Sequence, residues 1–347
     1  SEPNSASDAA LDPPAVPSDD GGRTPVSKES ARLAQEIGRR RTFAIISHPD
    51  AGKTTLTEKL LLFSGAIHLA GSVKARRADR HATSDWMDME KERGISITAS
   101  VMSFEYQKFR INLLDTPGHQ DFSEDTYRAL TAADSAVMLL DNRKGVEEQT
   151  RKLFSVCRKR RLPIVTLVNK CDRVGEDPFG LLDDVQTHLG IPCYPVTWPV
   201  RREGRLIGVC DRQSREILLY EHTQDHGQTL PPVTVLSLDD PALDQALEPG
   251  VLEPLLEELE LLAVAGEEAD PDAVIRGEAT PVFFGSALTN FGLDVFFRRF
   301  LEMAPGPGQV DSNLGPVSPE KDPFSGFIFK VQANMNLRHR DRVAFLK

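Results

Sequence analysis

The run "SHPDAGKTT", Ser47 to Thr55, follows the apolar stretch Phe43 to Ile46 and precedes the helix-like stretch Leu56 to Phe63. It ends as the phosphate-binding pattern G-x-x-x-x-G-K-[ST] ends, with Ser47 standing where that pattern has its first glycine. A loop between a strand and a helix N-terminus aims successive backbone N–H groups inward. The helix dipole adds partial positive charge, so a polyphosphate can be cradled there. Gly52 permits close backbone approach, Lys53 is the candidate for the β- and γ-phosphates, and the Thr54 hydroxyl is a candidate Mg²⁺ ligand. The candidate cradle is Ser47, His48, Pro49, Asp50, Ala51, Gly52, Lys53, Thr54 and Thr55. A Gly-Lys-Thr turn can also merely cap a helix, so the reading depends on what else the chain carries.

It carries three further motifs behind apolar runs. In "INLLDTPGH", Asp115 ends such a run and is followed by Thr116, Pro117, Gly118 and His119. An acid at a strand end across from a phosphate loop is placed to hold Mg²⁺ through water, and Gly118 offers an N–H to a γ-phosphate. In "VTLVNKCD", Asn169, Lys170, Cys171 and Asp172 follow another apolar run. A carboxylate there accepts two hydrogen bonds from guanine N1–H and N2–H₂, which adenine does not supply, so GTP or GDP is expected rather than ATP. "GSAL" adds Ser286, Ala287 and Leu288, whose backbone N–H groups suit the guanine O6. Within "KERGISITAS", Ser96 is the candidate hydroxyl for Mg²⁺ in a segment held only while a γ-phosphate is present. With the motifs in this order, the serine at position 47 matters little, because it is small and the cradle is made by the residues after it.

The elements that position these residues alternate. Strands are expected over 43–46, 100–106, 109–114, 135–140, 164–168 and 281–284, and helices near 53–63, 120–132, 146–160, 178–189 and 292–303. This is the signature of an α/β fold with a mostly parallel sheet, whose ligands bind beyond the carboxyl ends of the strands. The rhythm breaks over 191–280, where "PVTWPV", "RLIGVCDR" and "REILLY" read as short strands and "VLEPLLEELELLAV" as an acidic amphipathic helix whose Glu257, Glu258 and Glu260 are expected to form a solvated face, with a docking surface as the alternative. The expected organisation is a disordered tail over 1–32, rich in Pro, Ser and Asp, then a nucleotide-binding domain over 33–305 with an inserted α+β subdomain at 191–280. A linker over 306–323 and the start of another domain at 324–347 follow.

A length of 347 residues suits about two domains. The net charge of −11 argues against a broad basic nucleic-acid face, leaving room for a local basic patch on RNA but no expectation of DNA. The four cysteines have no CxxC spacing, so neither a zinc site nor a disulfide framework is expected. No apolar run approaches a membrane span, and a cytoplasmic monomer is the expectation.

Together "SHPDAGKTT", "SDWMDMEKERGISITAS", "LLDTPGHQDFSEDTYRALTAAD" and "NKCDR" resemble the translational GTPases. "THLGIPCYPVTWPV" and "QANMNLRHRDRVAF" are similar to the bacterial release factor three group rather than to elongation factor G. The resemblance runs from about 40 to 347. It implies a Ras-like GTP-binding domain with an insertion, then a β-barrel domain that the chain enters, with a third domain absent. It further implies a GTPase stimulated by the ribosome, through ribosomal RNA and stalk proteins, that ejects class I release factors after a stop codon is read. By position, it gives Lys53 and Thr54 the phosphate and Mg²⁺, Asp50 the placing of a cation and of the catalytic histidine, and Asp115 the water-mediated metal contact. Gly118 takes the switch contact and His119 the attacking water. Ser96 stands where most of the family has Thr. A non-catalytic nucleotide-binding fragment and an elongation factor G-like GTPase remain open as alternatives.

Overall fold

The computed structural model describes residues 28–65, 100–116, 123–223, 227–265, 270–313, 315–320, 324–333 and 342–347. Its centre is a seven-stranded sheet. In spatial order the strands are β2 (Ser100–Tyr106), β3 (Phe109–Asp115), β1 (Arg40–Ser47), β4 (Ser135–Asp141), β5 (Ile164–Asn169), β11 (Thr280–Phe284) and β6 (Cys193–Pro195). Only the β2–β3 pair is antiparallel. β4 and β5 are buried along their whole length, which explains why they read as unbroken apolar runs rather than alternating ones.

Alternate residues of β1 feed two cores. Phe43 and Ile45 pack with Leu56 and Leu60 of α2 (Lys53–Phe63) and with Phe296 and Phe300 of α9 (Leu293–Met303). Ala44 and Ile46 join Leu130 of α3 (Ser123–Ala132), Phe154 of α4 (Glu148–Lys159) and Leu181 of α5 (Pro178–Leu189). The sheet is thus covered on both faces, and the strand ends bearing the motifs meet at one edge.

The block between β6 and β11 forms a second, antiparallel sheet in the order β10 (Val233–Ser237), β9 (Glu216–Tyr220), β8 (Arg205–Asp211), β7 (Thr197–Arg202). It is followed by α6 (Leu243–Ala246), α7 (Pro249–Val264) and α8 (Pro271–Ile275). It docks through buried groups. Trp198 is fully buried against Phe284, ring centroids 5.5 Å apart. Asp211, 0% exposed, accepts from Arg299 Nη2 at 2.8 Å and Nε at 3.0 Å.

Four expectations need correction. Residues 28–32 are not tail but the start of helix α1 (Lys28–Gly38), which has an acid in its first turn and whose Glu36 pairs with Arg39 and Arg40. Residues 193–195, placed in the insertion, belong to the main sheet because β6 pairs with β11 in parallel. The expected linker 306–323 holds a small hairpin, β12 (Val310–Ser312) with β13 (Gly315–Val317), closed at Gly315, whose φ of +101° favours glycine. Glu258 is not part of a solvated face. It accepts from Trp198 Nε1 at 2.6 Å and from Arg201 Nη2 at 2.5 Å, since a buried indole N–H needs an acceptor. Glu257 and Glu260 are exposed. Toward the C-terminal end, β14 (Ile328–Ala333) and β15 (Arg342–Leu346) form an antiparallel hairpin.

Candidate functional site

β1 ends at the buried Ser47, and the chain turns through Asp50, φ +66°, and Gly52, φ +100°, into α2. Glycine is needed at 52 on two counts. Its φ lies in the left-handed region, and a Cβ there would stand 2.5 Å from Asn169 Nδ2. No side chain caps the first turn of α2, so its N-terminal amides face the loop. Lys53 opens the helix and is buried, while Thr54 and Thr55 are half-buried.

Asn169, at the end of β5, ties two loops together. Its Nδ2 donates to the Ala51 carbonyl at 2.8 Å, and its Oδ1 accepts from Ala287 N at 2.8 Å. Asp172 Oδ1 accepts from Ser286 Oγ at 2.6 Å, and that hydroxyl accepts in turn from the amides of Leu288 at 3.2 Å and Thr289 at 3.3 Å. Cys171 N donates to Gly285 O at 3.2 Å. Burial pushes its thiol up to about 12, so Cys171 contributes backbone and packing, not a nucleophile. The carboxylate expected to read a base is therefore built into the loop expected to flank that base.

Lys170 Nζ lies 2.7 Å from Asp141 Oδ2. Burial acts to raise the Asp141 carboxyl, but the hydrogen bonds from Lys170 and from the Arg143 amide bring it below its ordinary value. His48 is 3% exposed, with Nε2 2.6 Å from Glu147 Oε2. Burial lowers its pKa despite that carboxylate. On the neighbouring strand, β1 and β3 run in register with Ile45 opposite Asp115, and Thr116 Oγ1 donates to the Ile45 carbonyl. The end of β3 therefore comes out beside the loop that follows β1. Ser96, Pro117, Gly118 and His119 lie outside the described residues, as does the side chain of Asp115.

The structure thus brings the loop 47–55 together with Asn169, Lys170, Asp172 and 286–288. Sequence reading missed Asp141, Asn142 and Glu147. Asn142 donates its amide to Asn169 O at 2.9 Å and its Nδ2 to Arg173 O at 3.1 Å, fixing the turn that holds Asp172. A signal was there: "LLDNRKG" ends an apolar strand in an acid as "LLDTPG" does. Among the described residues no group of His, Cys, Asp and Glu is arranged to hold a metal by itself, and no helix is long and apolar enough to cross a membrane.

The family model for the elongation factor Tu GTP binding domain matches residues 38–306. The chain is 56% identical over 317 residues to "Peptide chain release factor 3" of Cyanothece sp., covering 91% of this chain and 58% of that one. It is 58% identical over 315 residues to the protein of the same name from Symbiobacterium thermophilum, covering 91% and 60%. It therefore spans somewhat under two thirds of the length of these relatives. A solved structure from Thermus thermophilus superposes with a TM-score of 0.65 at 27% identity, covering 88% of this chain and 45% of that one. With its loops, strand order and guanine-type motif all in one matched stretch, the chain belongs to the elongation factor Tu GTP-binding domain family.

Proposed function

We propose that the chain binds GTP and GDP with Mg²⁺ and hydrolyses GTP, as the nucleotide-binding part of a translation termination factor. That factor acts on the ribosome, in contact with its RNA and stalk proteins, to dissociate class I release factors after stop-codon reading. The observation that supports it best is the join of Asp172 to Ser286 and of Asn169 to both Ala51 and Ala287. A guanine between these loops finds a fixed carboxylate for N1–H and N2–H₂, and backbone amides for O6. The similarity to proteins named peptide chain release factor 3 supports the biological setting.

The residues fit Mg²⁺ and a nucleoside triphosphate. Gly52 leaves room only for backbone at the loop, and the first-turn amides of α2, Lys53 and the Thr54 hydroxyl stand at one helix end. Mg²⁺, when bound, neutralises charge on the β- and γ-phosphates. Lys53 binds phosphate oxygens, and the backbone N–H groups of Asp50 and Gly52, with those of the first turn of α2, hold the polyphosphate in line. In this reading Thr54, Ser96 and Asp115 serve the metal, Gly118 the γ-phosphate, Asp50 the placing of the histidine, and His119 orients the attacking water. Titration of the purified chain with GTP, GDP and ATP tests the binding half. The proposal expects both guanine nucleotides to bind and ATP to bind at least about 10²-fold more weakly. Equal affinity for ATP contradicts it.

A further inference from the structure

Beyond β9, residues 227–229 lie against helix α2 and the 286–290 loop of the candidate nucleotide site. Tyr220 stacks on Phe291, centroids 5.0 Å apart, and its hydroxyl donates to Asp294 Oδ1 at 2.5 Å. The carbonyl of Gly227 then accepts two hydrogen bonds, one from Lys59 Nζ on α2 and one from Asn290 Nδ2 at 2.9 Å. The same Asn290 amide donates to the Thr229 carbonyl at 2.8 Å. Asn290 is fully buried and Lys59 is 4% exposed. Gly227 has φ +75°, and a Cβ on it would meet the Leu288 carbonyl at 2.2 Å and Lys59 Nζ at 3.2 Å. The chain closes behind this contact, Glu221 N donating to Pro232 O at 3.1 Å.

The two donors belong to the two halves of the site. Lys59 lies on the helix that begins at Lys53, so its position reports that of the phosphate loop. Asn290 is two residues beyond Leu288, in the loop that flanks the base. A buried ammonium and a buried amide both need their acceptors, so the contact cannot be given up cheaply by either element. A nucleotide bridging the loops leaves only when they move relative to one another. We propose that residues 227–229 are a strap that sets the residence time of bound guanine nucleotide by holding α2 and the 286–290 loop in register, with Lys59 and Asn290 as its positioning residues. This rests on the guanine-nucleotide reading above. Through it, the second sheet gains a grip on a site to which it contributes no ligand.

Stopped-flow release of a fluorescent GDP analogue from the parent, Lys59→Met, Lys59→Arg and Asn290→Ala tests it. Methionine keeps length and apolar volume while removing the donor, and arginine restores a donor. Lys59→Met and Asn290→Ala each release GDP about tenfold faster, and Lys59→Arg stays within about threefold of the parent. The preference for GDP over XDP is unchanged, because Asp172 is untouched. The double variant gains less than the product of the singles, since both donors share one carbonyl. A parent that binds GDP together with a Lys59→Met release rate within about twofold of it overturns the strap alone. A parent that binds neither GDP nor GTP overturns the guanine reading and the strap with it. If the variants fail to fold, hydrogen exchange on the parent decides. GDP should slow amide exchange at 227–230 as well as at 50–55, and protection confined to 50–55 overturns the strap.

Discussion

With Asp172 as the proposed base-reading carboxylate, Asp172→Asn should weaken GTP by roughly 10²-fold or more and shift preference toward xanthine nucleotides. An amide would present a donor where guanine also presents one. Competition binding of GTP against XTP checks this, and an unchanged GTP preference refutes it. On the proposed role of His119 in orienting water, His119→Ala should leave nucleotide affinity within about threefold but lower ribosome-stimulated turnover by roughly 10²-fold. Single-turnover hydrolysis with ribosomes measures it. His48 supplies a pH dependence. Its folded pKa is lowered from 6.5 by burial, so the unfolded chain binds the extra proton first, and stability contributed by the neutral imidazole is lost as pH falls below about 6.5. Urea midpoints at pH 5.5 and 7.5 should therefore differ less in His48→Gln than in the parent. The placement of 47–55, 169–172 and 286–288 at strand ends was legible because each follows directly on an apolar strand in sequence. Glu147 and Asp141 were not, because their partners His48 and Lys170 lie far away along the chain and meet them only once β1, β4 and β5 align.

At the scale of elements, every strand expected in the main sheet is present: β4 and β5, buried on both faces, announce themselves as apolar runs, and the edge pair β2–β3 by alternation of buried and exposed residues. β6 was harder: three residues, Cys193–Pro195, carry too little pattern, and only the parallel pairing with β11 assigns them to the sheet. Helix α7 shows what composition conceals. Its acids look alike in sequence, yet Glu258 alone is drawn in by Trp198 and Arg201. Glu258→Ala should destabilise the protein by about 1–3 kcal/mol by leaving the buried indole N–H without its acceptor. Glu257→Ala, one residue earlier and exposed, should change stability by less than about 0.5 kcal/mol. Denaturant unfolding of both variants separates them, and equal effects would return Glu258 to the solvated face.

For the whole molecule, the 47–55 loop, the 169–172 turn and the loop after β11 are carried by one doubly covered sheet, and a second sheet is fastened to it by Trp198, Asp211 and the Gly227 contact. The proposed function has this arrangement bind nucleotide by itself and leaves hydrolysis to be triggered by the ribosome through His119. The measurement that bears most directly on the central claim is single-turnover hydrolysis of GTP and of ATP, with and without ribosomes halted at a stop codon. It should be run on this chain and on a chain extended to the length of its relatives. The extended chain should hydrolyse GTP at least about 10²-fold faster with ribosomes than without and leave ATP intact. GTP turnover that ribosomes do not change, or ATP turnover equal to it, would contradict a ribosome-triggered, guanine-specific GTPase.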